Sequence, residues 1–122
     1  MLVAEDDRAL LEMAALILGQ DGCEVLTAAD GSLALEASRA AERVDVVVTD
    51  LVMPGLDGFG LGDALAEERA GIRAVFTTAL VTEDVRATVR TFGCDLLPKP
   101  YSAASLRRAV AEARPLQPRV RP

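Results

Sequence analysis

The feature that most constrains this chain is the run Val46-Val47-Val48, followed at once by Thr49-Asp50. Three β-branched apolar residues in succession, with no polar alternation, leave neither face of a strand for water. Such a strand belongs at the centre of a parallel sheet covered by helices on both sides. Parallel neighbours must be joined by long crossovers, usually helical, so the rest of the chain should alternate short β runs with amphipathic helices. It does. Leu2 to Ala4 reads as a first strand, and Leu10, Leu11, Ala14, Ile17 and Leu18 then recur at helical spacing until Gly19 and Asp21-Gly22. Glu24 to Thr27 is a second strand. Asp30-Gly31 opens a helix with Leu33, Ala34, Ala37 and Ala41 on one face, and Val44 to Thr49 is the third and strongest strand. The turn formers of 53–58 precede a helix with Leu61, Ala64 and Leu65 inward. Ala74 to Thr78 is strand four, Thr82 caps a helix with Val85, Val89 and Phe92 inward, and Gly93 ends it. Asp95 to Leu97 is strand five, and Leu106, Ala109, Val110 and Ala113 mark the last helix.

Five β/α units with right-handed crossovers predict an α/β fold, a doubly wound five-stranded parallel sheet in the flavodoxin-like order 2-1-3-4-5. One domain spans residues 1–114, and the proline-rich segment 115–122 reads as a tail or linker.

Composition removes several classes of chemistry. The chain contains no histidine, which excludes histidine general-base and triad mechanisms, and its net charge of −6 with 3% aromatic residues argues against nucleic acid as the domain's own partner. No apolar run reaches the ~18 residues of a membrane span, and the N-terminus lacks a basic stretch and a cleavage site, so a cytoplasmic protein is expected. Cys23 and Cys94 lack metal-ligand spacing. They fall on strands at opposite edges of the expected sheet and should remain reduced.

Such folds bind ligands at the carboxyl ends of their strands. Here those ends carry Glu5-Asp6-Asp7, Asp50, Thr77-Thr78 and Lys99-Pro100, and the strand order brings them to one cleft. An acid cluster at a strand end is commonly solvated surface, but Glu5, Asp6 and Asp50 in one cleft would repel one another unless a cation were bound. Mg²⁺ suits an all-oxygen site that leaves positions for a phosphoryl oxygen, and an aspartate held there can attack a phosphoryl donor in line. Of thirteen basic residues, twelve are arginine and Lys99 is the one lysine, as though a compact point charge were required there.

The segments Val3-Ala4-Glu5-Asp6-Asp7, Asp50-Leu51-Val52-Met53-Pro54-Gly55-Leu56-Asp57-Gly58, Thr77-Thr78-Ala79 and Lys99-Pro100 together resemble the receiver domains of two-component response regulators, including single-domain chemotaxis regulators. The resemblance runs from residue 2 to about 113. It implies that Glu5 and Asp6 hold Mg²⁺, which Mn²⁺ can replace, with Asp50 and the Val52 carbonyl. It further implies that Asp50 is phosphorylated, that the Thr78 hydroxyl and the Ala79 amide bind phosphoryl oxygens, and that Lys99 pairs with the group. The implied donor is a histidine kinase or a phosphotransfer domain. The implied output face is helix four, strand five and helix five, bearing Arg86, Arg90, Asp95, Arg107 and Arg108, for an effector or a homodimer. The resemblance also implies a signalling phosphoacceptor and not an enzyme, one that catalyses only its own phosphorylation and slow autodephosphorylation.

Two features depart from the family. Leu96 stands three residues before the lysine, where an aromatic switch residue is usual, and the first strand is short. At the positions that govern water's access to an acyl phosphate stand Val52 and Leu80, both apolar, which predicts slow autodephosphorylation. Asp7 matches no metal position and is expected to cap the first helix, Thr77 to be structural, and Met53 to pack. The alternative function is a receiver-like interaction module that works without phosphorylation. Its signature would be a missing acid, aspartate or lysine, and all are present.

Overall fold

The computed structural model describes residues 1–119, in the order β1 (Leu2–Ala4), α1 (Arg8–Gln20), β2 (Leu26–Ala28), α2 (Gly31–Ala40), β3 (Val46–Asp50), α3 (Gly58–Glu68), β4 (Arg73–Thr78), α4 (Glu83–Thr91), β5 (Asp95–Pro98), α5 (Ala103–Ala111) and β6 (Arg114–Pro115). The first five strands form a parallel sheet in the order β2-β1-β3-β4-β5, as expected, and β6 joins β4 antiparallel.

The continuous apolar run has the cause inferred for it. Val47 contributes to a core beneath α2, α3 and α4 with Leu61, Leu65, Phe76 and Phe92, whereas Val48 contributes to one beneath α1 and α5 with Ala14, Leu18 and Leu106. β4 divides in the same way, Ala74 and Phe76 to the first core and Val75 to the second. Successive strand residues point to opposite faces, so a central strand needs apolar side chains at every position. Each fully buried Leu or Phe contributes about 1.5–3 kcal/mol.

Helix starts follow local chemistry. Asp7, Asp30, Asp57, Thr82 and Ser102 each accept a hydrogen bond from the amide three residues on, at 3.2, 2.8, 2.8, 3.2 and 3.0 Å. Asp7 and Thr82 are thus the caps expected.

Strand boundaries differ from expectation where partners decide them. β2 begins at Leu26, not Glu24, because its register partner β1 begins at Leu2. β3 begins at Val46, not Val44, opposite the start of β4 at Arg73. Cys23 and Cys94 accordingly precede β2 and β5 instead of lying in them, and both are free thiols. The segment after 114, expected as tail or linker, lies against the domain as far as 119. Arg114 and Pro115 pair with Ala74 and Arg73, Leu116 is buried, and its amide donates to the Ile72 carbonyl at 2.7 Å. Pro115 is tolerated because β6 is an edge strand. Residues 120–122 of that segment lie outside the described residues.

Candidate functional site

Glu5 and Asp6 follow β1, Asp50 ends β3, Thr78 ends β4, and Lys99 follows β5. The register sets these ends side by side: Ala4 is opposite Thr49, Asp50 opposite Thr77, and Thr78 opposite Pro98. The Lys99 amide donates to the Thr78 carbonyl at 2.8 Å, fixing the loop that carries the ammonium, and the Lys99-Pro100 peptide is cis. Glu5 and Asp50 are buried, at 4% and 7% exposure, while Asp6 is exposed.

One carboxylate oxygen from each of Glu5, Asp6 and Asp50 lies within 4.8 Å of the others. The Lys99 ammonium is 3.1 Å from Asp50 Oδ2 and touches Glu5 Oε1 directly. The Glu5 carboxyl is pushed up to about 7, chiefly by burial and further by Asp50, against the lowering pull of the Lys99 hydrogen bond and the Asp7 amide. For Lys99, burial alone would lower the pKa, but hydrogen bonds to Glu5 and Asp50 outweigh it and the ammonium lies above its ordinary value. One ammonium among three carboxylates leaves an excess of negative charge in a partly buried site. The hard, all-oxygen donor set, two members buried and one facing solvent, suits a small divalent cation that retains some water.

The remaining expected residues rim this centre. Thr78 is buried, and its hydroxyl accepts from the Leu80 amide at 3.1 Å, which leaves its proton free to be donated into the cleft. Ala79 is exposed, and Val52 and Leu80 are 66% and 61% exposed beside Asp50 and Thr78. The Val52 amide stands 3.5 Å from Asp50 Oδ1. Leu96 is half-buried against the α2–α3–α4 core, and Met53 is buried in it. The Thr77 hydroxyl donates to the Thr49 carbonyl at 3.4 Å, a structural role.

Gly58 is the least replaceable part of the loop beside Asp50. A Cβ there would stand 2.8 Å from Leu51 Cα and overlap the Asp50 carbonyl, so only glycine lets α3 start this close to Asp50. Sequence reasoning saw Gly58 as turn geometry without seeing what it approaches. It also missed the direct Glu5–Lys99 contact, which spans 94 positions and has no local signal. Tyr101 is half-buried beside the site: burial first, and then the Glu5 charge, raise its hydroxyl's pKa, and it lines a cleft of about 460 Å³ with Leu10, Met13, Ala79 and Lys99.

On the expected output face, a groove of about 520 Å³ runs between α4, β5 and α5, lined by Arg86, Asp95, Leu96 and Arg108 among others. Arg107 does not belong to it. Its guanidinium pairs with Asp21 beyond the end of α1, at 3.0 Å.

A doubly wound sheet with an acid triad and a lysine at its carboxyl edge defines a class of signalling domain, and comparison with known proteins agrees. The family model of the response regulator receiver domain matches residues 1–111, and the chain belongs to that family. The probable transcriptional regulatory protein TcrX of Mycobacterium tuberculosis is 36% identical over 103 residues, covering 84% of this chain and 44% of that protein. The transcriptional activator protein PfeR of Pseudomonas aeruginosa is 38% identical over 107 residues, covering 87% and 34%. The chain thus spans less than half the length of these relatives. Among solved structures, the chemotaxis protein CheY4 of Vibrio cholerae superposes with a TM-score of 0.83 at 26% identity, covering 90% of this chain and 93% of that one. The receiver domain of NtrX from Brucella abortus gives 0.79 at 26%, covering 91% and 98%. No helix among the described residues is long and apolar enough to cross a membrane.

Proposed function

We propose that Asp50 accepts a phosphoryl group from the phosphohistidine of a kinase or phosphotransfer domain, in a Mg²⁺-dependent reaction. The observation that carries this reading is the Asp50 carboxylate at the end of β3, within 4.8 Å of Glu5 and Asp6 oxygens and 3.1 Å from the Lys99 ammonium. A carboxylate oxygen of Asp50 attacks phosphorus, an O–P bond forms as the P–N bond breaks, and the bonding pair leaves with the imidazole nitrogen. Glu5, Asp6, Asp50 and the Val52 carbonyl hold the metal. When bound, Mg²⁺, or Mn²⁺ in its place, neutralises charge on the phosphoryl oxygens. Lys99 pairs with one such oxygen, and the Thr78 hydroxyl and Ala79 amide donate to others. Val52 and Leu80, exposed and apolar at the rim, offer no polar atom to orient an attacking water, so the acyl phosphate is long-lived.

Drawing Thr78 toward the phosphoryl group shifts the population of the loop before α4 and of the α4–β5–α5 face, with Leu96 in place of an aromatic switch. That face serves an effector or a second copy. The relatives described as transcriptional regulators support an output of that kind, carried by another domain. The cytoplasm is the compartment this reading assigns. The domain acts on no substrate but itself. Incubation with acetyl phosphate and Mg²⁺, followed by intact mass, tests the reading. A gain of one phosphoryl group that requires Mg²⁺ and is absent in Asp50→Asn is expected. No gain, with the metal bound, would favour an interaction module that works unphosphorylated.

A further inference from the structure

α4 is a nine-residue helix in which Val89 is the one buried residue, with Val85 and Thr88 half-buried and the rest exposed. Nine residues are too few for a helix to hold itself together in water, and so little buried surface anchors it weakly. Its N-terminal end follows directly from the Thr78–Leu80 loop. At its C-terminal end Phe92 is fully buried against Phe76 and Phe59, with ring centroids 5.0 and 5.9 Å away.

The segment 114–119 closes on that end. The Gln117 amide donates to the Phe92 carbonyl at 2.9 Å, filling one of the acceptors a helix terminus leaves open. Gly93 turns the chain out of α4 at φ +73°, a left-handed conformation that favours glycine, and the Gln117 side chain lies in the space that a Cβ there would enter. Two residues on, the Arg119 guanidinium lies over the Phe92 ring at 4.3 Å and pairs with Asp63 of α3, Nε to Oδ1 at 2.8 Å. Both side chains of the pair are largely buried, at 24% and 13% exposure.

We propose that residues 114–119 form a strap that positions α4 by tying its C-terminal end to α3, with Arg119 as the positioning residue, and so sets the resting geometry of the loop that leads into α4 from Thr78. The strap acts on the domain whether or not Asp50 is phosphorylated, so its test is independent of that chemistry. Hydrogen exchange read by mass spectrometry on the full chain compares wild type with Arg119→Ala, Arg119→Lys and Asp63→Asn. Arg119→Ala is expected to speed exchange across residues 83–92 by about tenfold while peptides of β1, β3 and α1 keep their rates. Arg119→Lys, which keeps the charge toward Asp63 but loses the planar stack on Phe92, should fall between the two, and Asp63→Asn should resemble Arg119→Ala. Unchanged exchange in α4, with protection lost at 116–119 alone, would overturn the proposal. So would a uniform loss of protection across the chain, which would make Arg119 a general stabiliser.

Discussion

At the scale of single residues, the site works by opposing pressures on a few charges. Lys99 holds two of the three carboxylates, and removing it leaves Glu5 and Asp50 buried together with no other basic side chain paired to them among the described residues. Lys99→Ala should therefore cost about 3 kcal/mol of stability in metal-free buffer, read by urea unfolding in EDTA. A change within error would mean that Lys99 is not the counter-ion inferred for it. Cys94 gives a second residue-scale prediction. Burial, with Asp95 adding to it, pushes its thiol up from 9.0 to about 11. A folded pKa above the unfolded one means that keeping the thiol neutral contributes stability in full below pH 9.0, and that this contribution is lost as pH rises through about 11. A disulfide reagent near pH ~8 should accordingly label half-buried Cys23 and spare Cys94 until the protein unfolds. Equal labelling of both would show that Cys94 is not shielded.

At the scale of elements, what can be read from sequence depends on whether the cause is local. The helix caps Asp7 and Thr82 and the β3 run were legible because each acts over three or four residues. Asp50, Glu5, Asp6 and Lys99 were legible because parallel topology converts position after a strand into position in space. The starts of β2 and β3 were not, since partner strands decide them. The segment 114–119 was not legible either: Leu116 is a lone apolar residue among prolines and arginines, with no period to reveal that it is buried. Arg107 was assigned to the wrong face because the helical phase at the middle of α5 turns it toward Asp21, a partner 86 positions away with no local signal. Gly58 joins the two kinds. Its place in the loop was visible, but its approach to the Asp50 carbonyl was not. Gly58→Ala should destabilise the domain by about 2 kcal/mol in urea unfolding and slow labelling of Asp50 by displacing the β3–α3 loop. Wild-type stability would mean that the loop can retreat without loss.

At the scale of the whole molecule, two cores on either face of one sheet hold four strand ends in register, and that register assembles the cleft. α1 and α5 close one side through Leu18 and Leu106; α2, α3 and α4 close the other through Ala34, Leu61, Leu65 and Phe92. α4, with Val89 its one buried residue, is the thinly anchored helix of this arrangement, and it lies between the Thr78–Leu80 loop and the segment 114–119. The fold could be derived from the chain almost entirely. The roles proposed for the site follow from geometry that the fold imposes, and they stand or fall on where a phosphoryl group lands. The most direct measurement is to load the protein with acetyl phosphate and Mg²⁺, reduce the acyl phosphate with borohydride, and map the product by peptide mass spectrometry. Homoserine at position 50, absent when EDTA replaces Mg²⁺, is the predicted result. Homoserine at another carboxylate, or none at all, would contradict the account.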